Sequence, residues 1–270
     1  MEKEGASTEC RLAISLLIGL CLGVASAAVG ALSLSGTDAL RIGRKIWLNE
    51  CNGTVAGLTS WNAGEDFASL GIGHFIWYPE GKRGPFEESF PKLLAFMQHR
   101  RVALPDWLRG SCPWSTRSEF ERAQNSAQMK ELRELLARTV DLQAEFLVSR
   151  LERALPKMLD ETSPANRANV QRQFERVASS TQGCYALVDY VNFKGEGVLH
   201  TERYQRQGWG LLQVLDQMQA TKTGSSAVTE FSRAAAAVLI RRVKNSPPER
   251  HESRWLPGWL NRVRSYATAE

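Results

Sequence analysis

Apolar residues recur at helical spacing shortly after residue 37. Ile42 and Ile46 stand four residues apart in the segment Asp38–Glu50, and Glu50 follows at the same interval. Residues spaced in this way share one face of an α-helix, and Thr37 is a suitable N-cap in front of them. The pattern predicts a first helix whose apolar face ends in a carboxylate.

The segment after this helix has no helical period. Asn52-Gly53 predicts the end of the helix, and residues 54–78 are rich in Gly, Ser, Thr and aromatic residues. This composition predicts loops with a small β-hairpin or short sheet, in which Ser69–Trp77 lies partly in strands.

Helical patterns return downstream and cover most of the remaining chain. Further helices are predicted over Phe86–Arg101, Thr116–Leu159, Ala165–Thr181, Trp209–Gln219 and Ala227–Lys244. Leu104–Trp114 is predicted to be an irregular connection, Gly183 to end the helix before it, and Tyr185–Phe193 to be a short apolar segment. Together these patterns predict one α+β domain over residues 36–270, mainly α-helical, with a small β region.

The N-terminal residues differ in composition from this domain. Leu12–Leu34 contains no charged residue, and Ala25-Ser26-Ala27 within it is a small-x-small sequence suited to signal peptidase. Residues 1–27 are therefore predicted to be an export signal, which would make the protein periplasmic or secreted. The apolar run is also long enough, at about 20 residues, to remain as an anchor in the inner membrane.

The formal net charge of the 270-residue chain is +5 at pH 7, and much of the basic excess lies near the C-terminus. The basic residues there include Arg233, Arg241, Arg242, Lys244, Arg250, Arg254, Arg262 and Arg264. A basic segment at 245–270 in an exported protein favours an anionic envelope surface or polymer, and nucleic acid fits poorly with an export signal. Solvated helix faces are the alternative explanation of these charges.

Three cysteines, Cys51, Cys112 and Cys184, follow the predicted signal. Their wide spacing matches no zinc-site pattern, and it is compatible with one disulfide and a free thiol or with three reduced thiols. The sequence also contains no phosphate-binding Gly-Lys-Ser/Thr loop and no dinucleotide-binding fingerprint. We therefore expect neither a metal nor a cofactor.

The segment Leu58–Pro79 is dense in aromatic residues around two adjacent carboxylates, Glu65 and Asp66, and Glu50 precedes it. Glycosidases need a carboxylic acid that donates a proton and a second carboxylate across the scissile bond. Glu50 is predicted to be the proton donor, and Glu65 the second carboxylate, because Asp66 would alternate to the other side of an extended segment. An ordinary exposed helix end and a solvated turn are the alternatives.

A second mixture of polar, aromatic and Gly residues spans positions 189–210. Sugar sites combine aromatic rings with amide, carboxylate and cationic side chains, although a purely structural loop would have a similar composition. The residues predicted to contact substrate are Asp66, His74, Trp77, Asn192, Lys194, Glu196, Glu202, Arg203 and Trp209.

The order of these parts resembles the lysozyme-like glycoside hydrolase superfamily, in particular phage-type lysozymes and, more distantly, chitosanases. Ser69-Leu70-Gly71-Ile72-Gly73-His74 is similar to the Thr-x-Gly-x-Gly-His stretch of phage-type lysozymes, and it follows a Glu that ends the first helix. A later helix with a Gly turn, Ala186–Gly197, looks like the helix that closes their cleft. The strings WNAGEDFASLGIGHFIWYP and DYVNFKGEG also look like those of uncharacterised bacterial proteins of this superfamily.

The resemblance implies a two-lobed lysozyme-like fold that cleaves β-1,4 bonds in peptidoglycan or a chitosan-like polymer. It assigns Glu50 as the general acid and places Ser69 where those enzymes have the threonine that positions the attacking water. The Asp of their β region has no equivalent at the same spacing, and Glu65 or Asp66 is nearest. The alternatives are a lytic transglycosylase, which needs one Glu, and a non-catalytic glycan-binding envelope protein.

Overall fold

The structure is a computed structural model, and it describes residues 34–268. The predicted export signal at residues 1–27 lies outside this range, as does the apolar run 12–34 apart from its last residue. Among the helices that the structure does describe, none is both long and apolar enough to cross a bilayer.

Ten α-helices and two small antiparallel sheets make up the regular structure of residues 34–268. The helices are α1 (Gly36–Cys51), α2 (Phe90–His99), α3 (Arg117–Arg122), α4 (Ala127–Arg138), α5 (Val140–Glu161), α6 (Pro164–Ala178), α7 (Thr181–Lys194), α8 (Leu211–Asp216), α9 (Ser225–Asn245) and α10 (Leu256–Ser265). The strands are β1 (Thr59–Ser60), β2 (Ala68–Leu70), β3 (Phe75–Trp77), β4 (Arg203–Tyr204) and β5 (Gln207–Gly208). The predicted class, mainly α with a small β region, is confirmed.

Helix α1 begins earlier than the sequence predicted. The Ser35 hydroxyl accepts a hydrogen bond from the Asp38 N–H at 3.1 Å and donates one to the Asp38 carboxylate at 2.6 Å. Because this reciprocal cap satisfies the first turn, the predicted cap at Thr37 is wrong. Ile42 and Ile46 are buried as expected, where α1 packs along α5 and α7.

The first sheet has the strand order β1-β2-β3, and each neighbouring pair is antiparallel. Ser69 lies opposite Ile76, so these two side chains share one face of the sheet, whereas Trp77 lies on the other face. Gly71, in the turn between β2 and β3, has a φ of +71°. A side chain there would meet the Gln143 carboxamide, which accepts a hydrogen bond from the next N–H of the turn.

The region around Gly183 is helical, contrary to the prediction. Ser180 caps α7 and accepts a hydrogen bond from the Gly183 N–H at 3.1 Å, and a Cβ at Gly183 would lie 1.7 Å from the Val177 carbonyl oxygen. Glycine therefore permits the close crossing from α6 to α7. Residues 183–190 are all buried, and a helix buried on every side has no amphipathic period for sequence patterns to detect.

Two other predicted helices have different limits. The predicted stretch Thr116–Leu159 is divided among α3, α4 and α5, since Ser126 caps α4 by accepting from the Met129 N–H. Helix α2 begins only at Phe90, and Pro91 lies in its first turn, where a missing N–H costs nothing.

Candidate active site

A cleft of about 290 Å³ opens between the first sheet and helices α1, α5 and α7. Each of these elements, together with the loop before α2, contributes polar groups to its lining. The polar lining side chains are Glu50, His74, Glu87, Ser89, Arg150 and Asn192. Apolar side chains from α5 and α7, such as Leu147 and Val188, complete the lining.

Glu50 reaches the cleft from the last turn of α1. Its side chain is 14% exposed, forms an ion pair with Arg262 of α10, and has one oxygen 4.0 Å from His74 Nδ1. Glu50 and His74, two residues predicted for the site, are therefore brought together, and Asn192 lines the same cleft.

Behind Glu50 lies a group that we call the Asp189 cluster, formed by Asp189, Arg262, Tyr266 and Asn49. The Asp189 side chain is completely buried, and it accepts two hydrogen bonds of 2.8 Å from the Arg262 guanidinium. Tyr266 donates to it at 2.6 Å and Asn49 at 3.3 Å. Burial alone would lower the pKa of Arg262, but the hydrogen bonds and charge of Asp189 and the charge of Glu50 raise it.

Glu87 lies on another part of the lining, in the loop before α2, and its side chain is 53% exposed. It forms an ion pair with Lys92 and has an oxygen 3.4 Å from an Arg150 nitrogen. The hydrogen bond from Lys92 is the main cause that lowers the pKa of the Glu87 carboxyl. Glu87 is therefore a cleft carboxylate whose surroundings favour its ionised form.

Glu65 and Asp66, the two predicted candidates for the second carboxylate, do not line the cleft. Glu65 belongs to a local turn, where its carboxylate accepts from the Asn62 amide at 3.0 Å and its backbone carbonyl accepts from Trp61 Nε1 at 2.7 Å. Ser69 shares a sheet face with the lining residue Ile76, but it is only 3% exposed and is not itself in the lining.

Two of the tryptophans predicted to contact substrate are largely buried. Trp77 is 2% exposed and its ring lies 4.9 Å from the Phe90 ring, on the sheet face opposite Ile76. Trp209 is 8% exposed, and the Arg242 guanidinium lies 4.0 Å from its ring centre. Both rings pack within the protein and leave little surface for a sugar ring.

The remaining predicted contacts lie at and beyond the C-terminal end of α7, outside the lining of this cleft. Lys194 is 9% exposed, with its Nζ 3.4 Å from the Trp259 ring centre, and burial lowers its pKa to about 6. Glu196 lies 3.4 Å from Lys157 Nζ, and Arg203 is 3.9 Å from a carboxylate oxygen of α5. Burial, followed by the charge of Glu196, raises the pKa of Glu202.

Three functional candidates were missed by the sequence reasoning: Glu87, Arg150 and Arg262. Glu87 falls within the predicted helix Phe86–Arg101 and belongs to no motif, whereas it lies in the turn ahead of α2. Arg262 was counted only as part of the basic C-terminal segment, whereas it contacts both Glu50 and Asp189. Only the tertiary fold reveals these placements, because the partners are far apart in sequence.

The three thiols in the described range are free and buried, which settles the question that their spacing left open. Cys51 follows Glu50, and its Sγ lies 3.9 Å from His74 Nε2. Burial and the charge of Glu50 raise its pKa to about 12, so the thiol is a poor nucleophile at neutral pH. Within residues 34–268 no group of His, Cys, Asp and Glu is arranged to hold a metal ion.

Comparisons of this chain with protein-family models, with curated proteins and with solved structures each found no match.

Proposed function

We propose that this chain is an exported, lysozyme-like glycoside hydrolase that cleaves β-1,4 bonds in peptidoglycan or a related amino-sugar polymer. The observation that carries the proposal is the position of Glu50, a carboxylate at the end of α1 that lines the cleft between the first sheet and helices α1, α5 and α7. Its neighbours in the cleft, His74 and Asn192, offer hydrogen-bonding groups to a polar substrate.

In this proposal Glu50 gives its proton to the leaving oxygen, and Glu87 is the second carboxylate. Glycosidases of both stereochemical classes pair a protonated carboxyl group with an ionised one. The ion pairs of Glu87 with Lys92 and Arg150 favour its charged form, which suits a base or a nucleophile. Glu87 replaces Glu65 in this role because Glu65 does not line the cleft.

Arg262 sets a condition on this mechanism. Its guanidinium contacts a carboxylate oxygen of Glu50, so this contact has to loosen before that oxygen can face a leaving group. This contact also favours a second candidate function, in which the cleft binds a glycan chain without cutting it.

The decisive experiment is product analysis by mass spectrometry after purified sacculi, and separately chitosan oligomers, are incubated with the protein. Wild type is expected to release new reducing ends, and Glu50→Gln to lose roughly 10²–10⁴-fold in rate, the usual contribution of a general acid. Glu121→Gln, which removes an exposed carboxylate on α3, is the matched control and should keep full activity.

A direct comparison of Glu87→Gln with Glu65→Gln identifies the second carboxylate. Only the Glu87 variant should be severely impaired. Anhydro sugar products would move the assignment to a lytic transglycosylase, which needs one Glu. If wild type binds both polymers and cuts neither, the protein is a glycan-binding protein and the proposed hydrolysis is wrong.

A further inference from the structure

A second cavity, of about 170 Å³, adjoins the cleft, and the two share Glu87 and Arg150 in their linings. Its other charged lining residues are Lys92, Arg153, Lys157 and Glu196. We call this cavity the side arm. Because its lining is continuous with that of the cleft, a polymer seated in the cleft can place a substituent there.

Helix α5 supplies a row of cations to the side arm. Leu147 and Arg150 line the cleft, and Arg153 and Lys157 follow at intervals of three and four residues, which keeps them on the same helix face. Arg150 and Lys157 are separated by seven residues, which corresponds to roughly 10 Å along the helix axis. The cleft lining therefore continues as a cationic row.

The side arm has an excess of positive charge. Four lining side chains are cationic and two are carboxylates, so the formal net charge is +2. Glu87 pairs with both Lys92 and Arg150, and Glu196 pairs with Lys157. The exposed Arg153 guanidinium donates a hydrogen bond to a neutral hydroxyl, Ser149 Oγ, at 3.3 Å.

We propose that the side arm binds an acidic substituent of the glycan, so that the substrate is a carboxylate-bearing polymer and not a cationic glucosamine polymer. This inference rests on the proposed function and deepens it by selecting between the two polymers considered there. Arginine and lysine side chains bind carboxylates through charge-assisted hydrogen bonds, and a cationic polymer would meet like charge along the α5 row.

The test compares cleavage of native sacculi with cleavage of sacculi whose free carboxylates have been converted to amides. The full chain is used, as wild type and with substitutions in the side arm. Wild type is expected to cleave the native material up to about fivefold more efficiently, since an exposed ion pair is worth at most roughly fivefold in an equilibrium constant. The double variant Arg153→Gln/Lys157→Gln should lose this preference, and the loss should appear as a higher KM for the native substrate.

Arg233→Gln, which removes an exposed arginine of α9 outside both linings, should preserve the preference and so controls for the loss of a surface cation elsewhere. Raising the ionic strength should shrink the preference of wild type, because salt screens exposed charges. Chitosan oligomers should be cut more slowly than native sacculi.

The outcomes separate this inference from the proposed function. Equal cleavage of native and amidated sacculi by wild type overturns the side-arm assignment while hydrolysis stands. If wild type cleaves neither preparation, the proposed hydrolysis is wrong. Sedimentation of the protein with native and with amidated sacculi then tests whether the side arm binds carboxylates. Stronger binding to native sacculi that depends on Arg153 and Lys157 supports it, and equal binding overturns it.

Discussion

Glu50 and Glu87 line the same cleft, yet their ion pairs lie in different surroundings. Glu50 is 14% exposed and meets Arg262, which is itself fixed by the completely buried Asp189. Glu87 is 53% exposed and meets Lys92, whose side chain is 57% exposed. The first arrangement is enclosed by α1, α7 and α10, whereas the second lies at the surface.

This difference indicates different roles for the two sets of charges. Removing one partner of a buried ion pair leaves a charge without compensation in the interior, which is strongly destabilising. Exposed pairs contribute little to stability and are screened by salt, so their groups remain available to a ligand. We infer that the Asp189 cluster maintains the geometry behind Glu50, while the pairs around Glu87 can be exchanged for contacts with substrate.

The largest expected loss of stability follows when the Asp189 cluster is broken. Asp189→Asn should lower the free energy of unfolding by about 3 kcal/mol, because the Arg262 charge loses its buried partner. Urea unfolding of the full chain measures this. Asp160→Asn, at an exposed position on α5, should change stability by less than about 0.5 kcal/mol. A similar loss from both variants would contradict the structural role assigned to the Asp189 cluster.

The second prediction concerns Lys194, whose amine is buried among aromatic rings. Its folded pKa of about 6 lies below its ordinary value of 10.5, because burial disfavours the charged form. Between these values the unfolded chain binds a proton that the folded chain does not, so stability rises with pH. Lys194→Met should therefore stabilise the protein, by on the order of a few kcal/mol near pH 7.

The gain from Lys194→Met should be largest near pH 6 and fade towards pH 10. Urea midpoints of variant and wild type across this range measure it, with Lys130→Met at an exposed position of α4 as the control. Parallel curves for wild type and Lys194→Met would show that this amine keeps its proton in the folded protein.

The smallest expected effect is on stability at the exposed pairs. Glu87→Gln should cost less than about 1 kcal/mol at pH 7 and low salt. The folded pKa of Glu87 is lowered, so its contribution is present above the unfolded value near 4.5 and disappears as the pH falls further. Urea unfolding at pH 7 and pH 3 checks this. A loss comparable to that of Asp189→Asn would place Glu87 among the structural charges.

The sequence predicted those features of the site that depend on residues close together in the chain. Glu50 was predicted because Ile42 and Ile46 precede it at four-residue intervals, and the small sheet because Gly and β-forming residues cluster around it. Helix α7 was described as a short apolar segment since it is buried on nearly every side. The lysozyme-like arrangement and the hydrolytic activity stay predictions.

The partners of Glu50 and Glu87 could not have been predicted in this way. Arg150 is 63 positions from Glu87, and Arg262 is 212 positions from Glu50. Their placement depends on how α5 and α10 pack, and helical periodicity contains no information on which charges meet after packing. Glu65 was chosen for its nearness in sequence, but its side chain satisfies a turn with Asn62.

Because Glu50 and Arg262 are far apart in sequence, the surroundings of Glu50 are completed only late in synthesis. Synthesis proceeds from the N-terminus at about 5–20 residues per second, so the 212 intervening positions correspond to roughly ten to forty seconds. During that interval a growing chain already contains Glu50 but lacks the helix that completes the surroundings of this carboxylate. Translation products interrupted in this interval would therefore be left with an unfinished cleft.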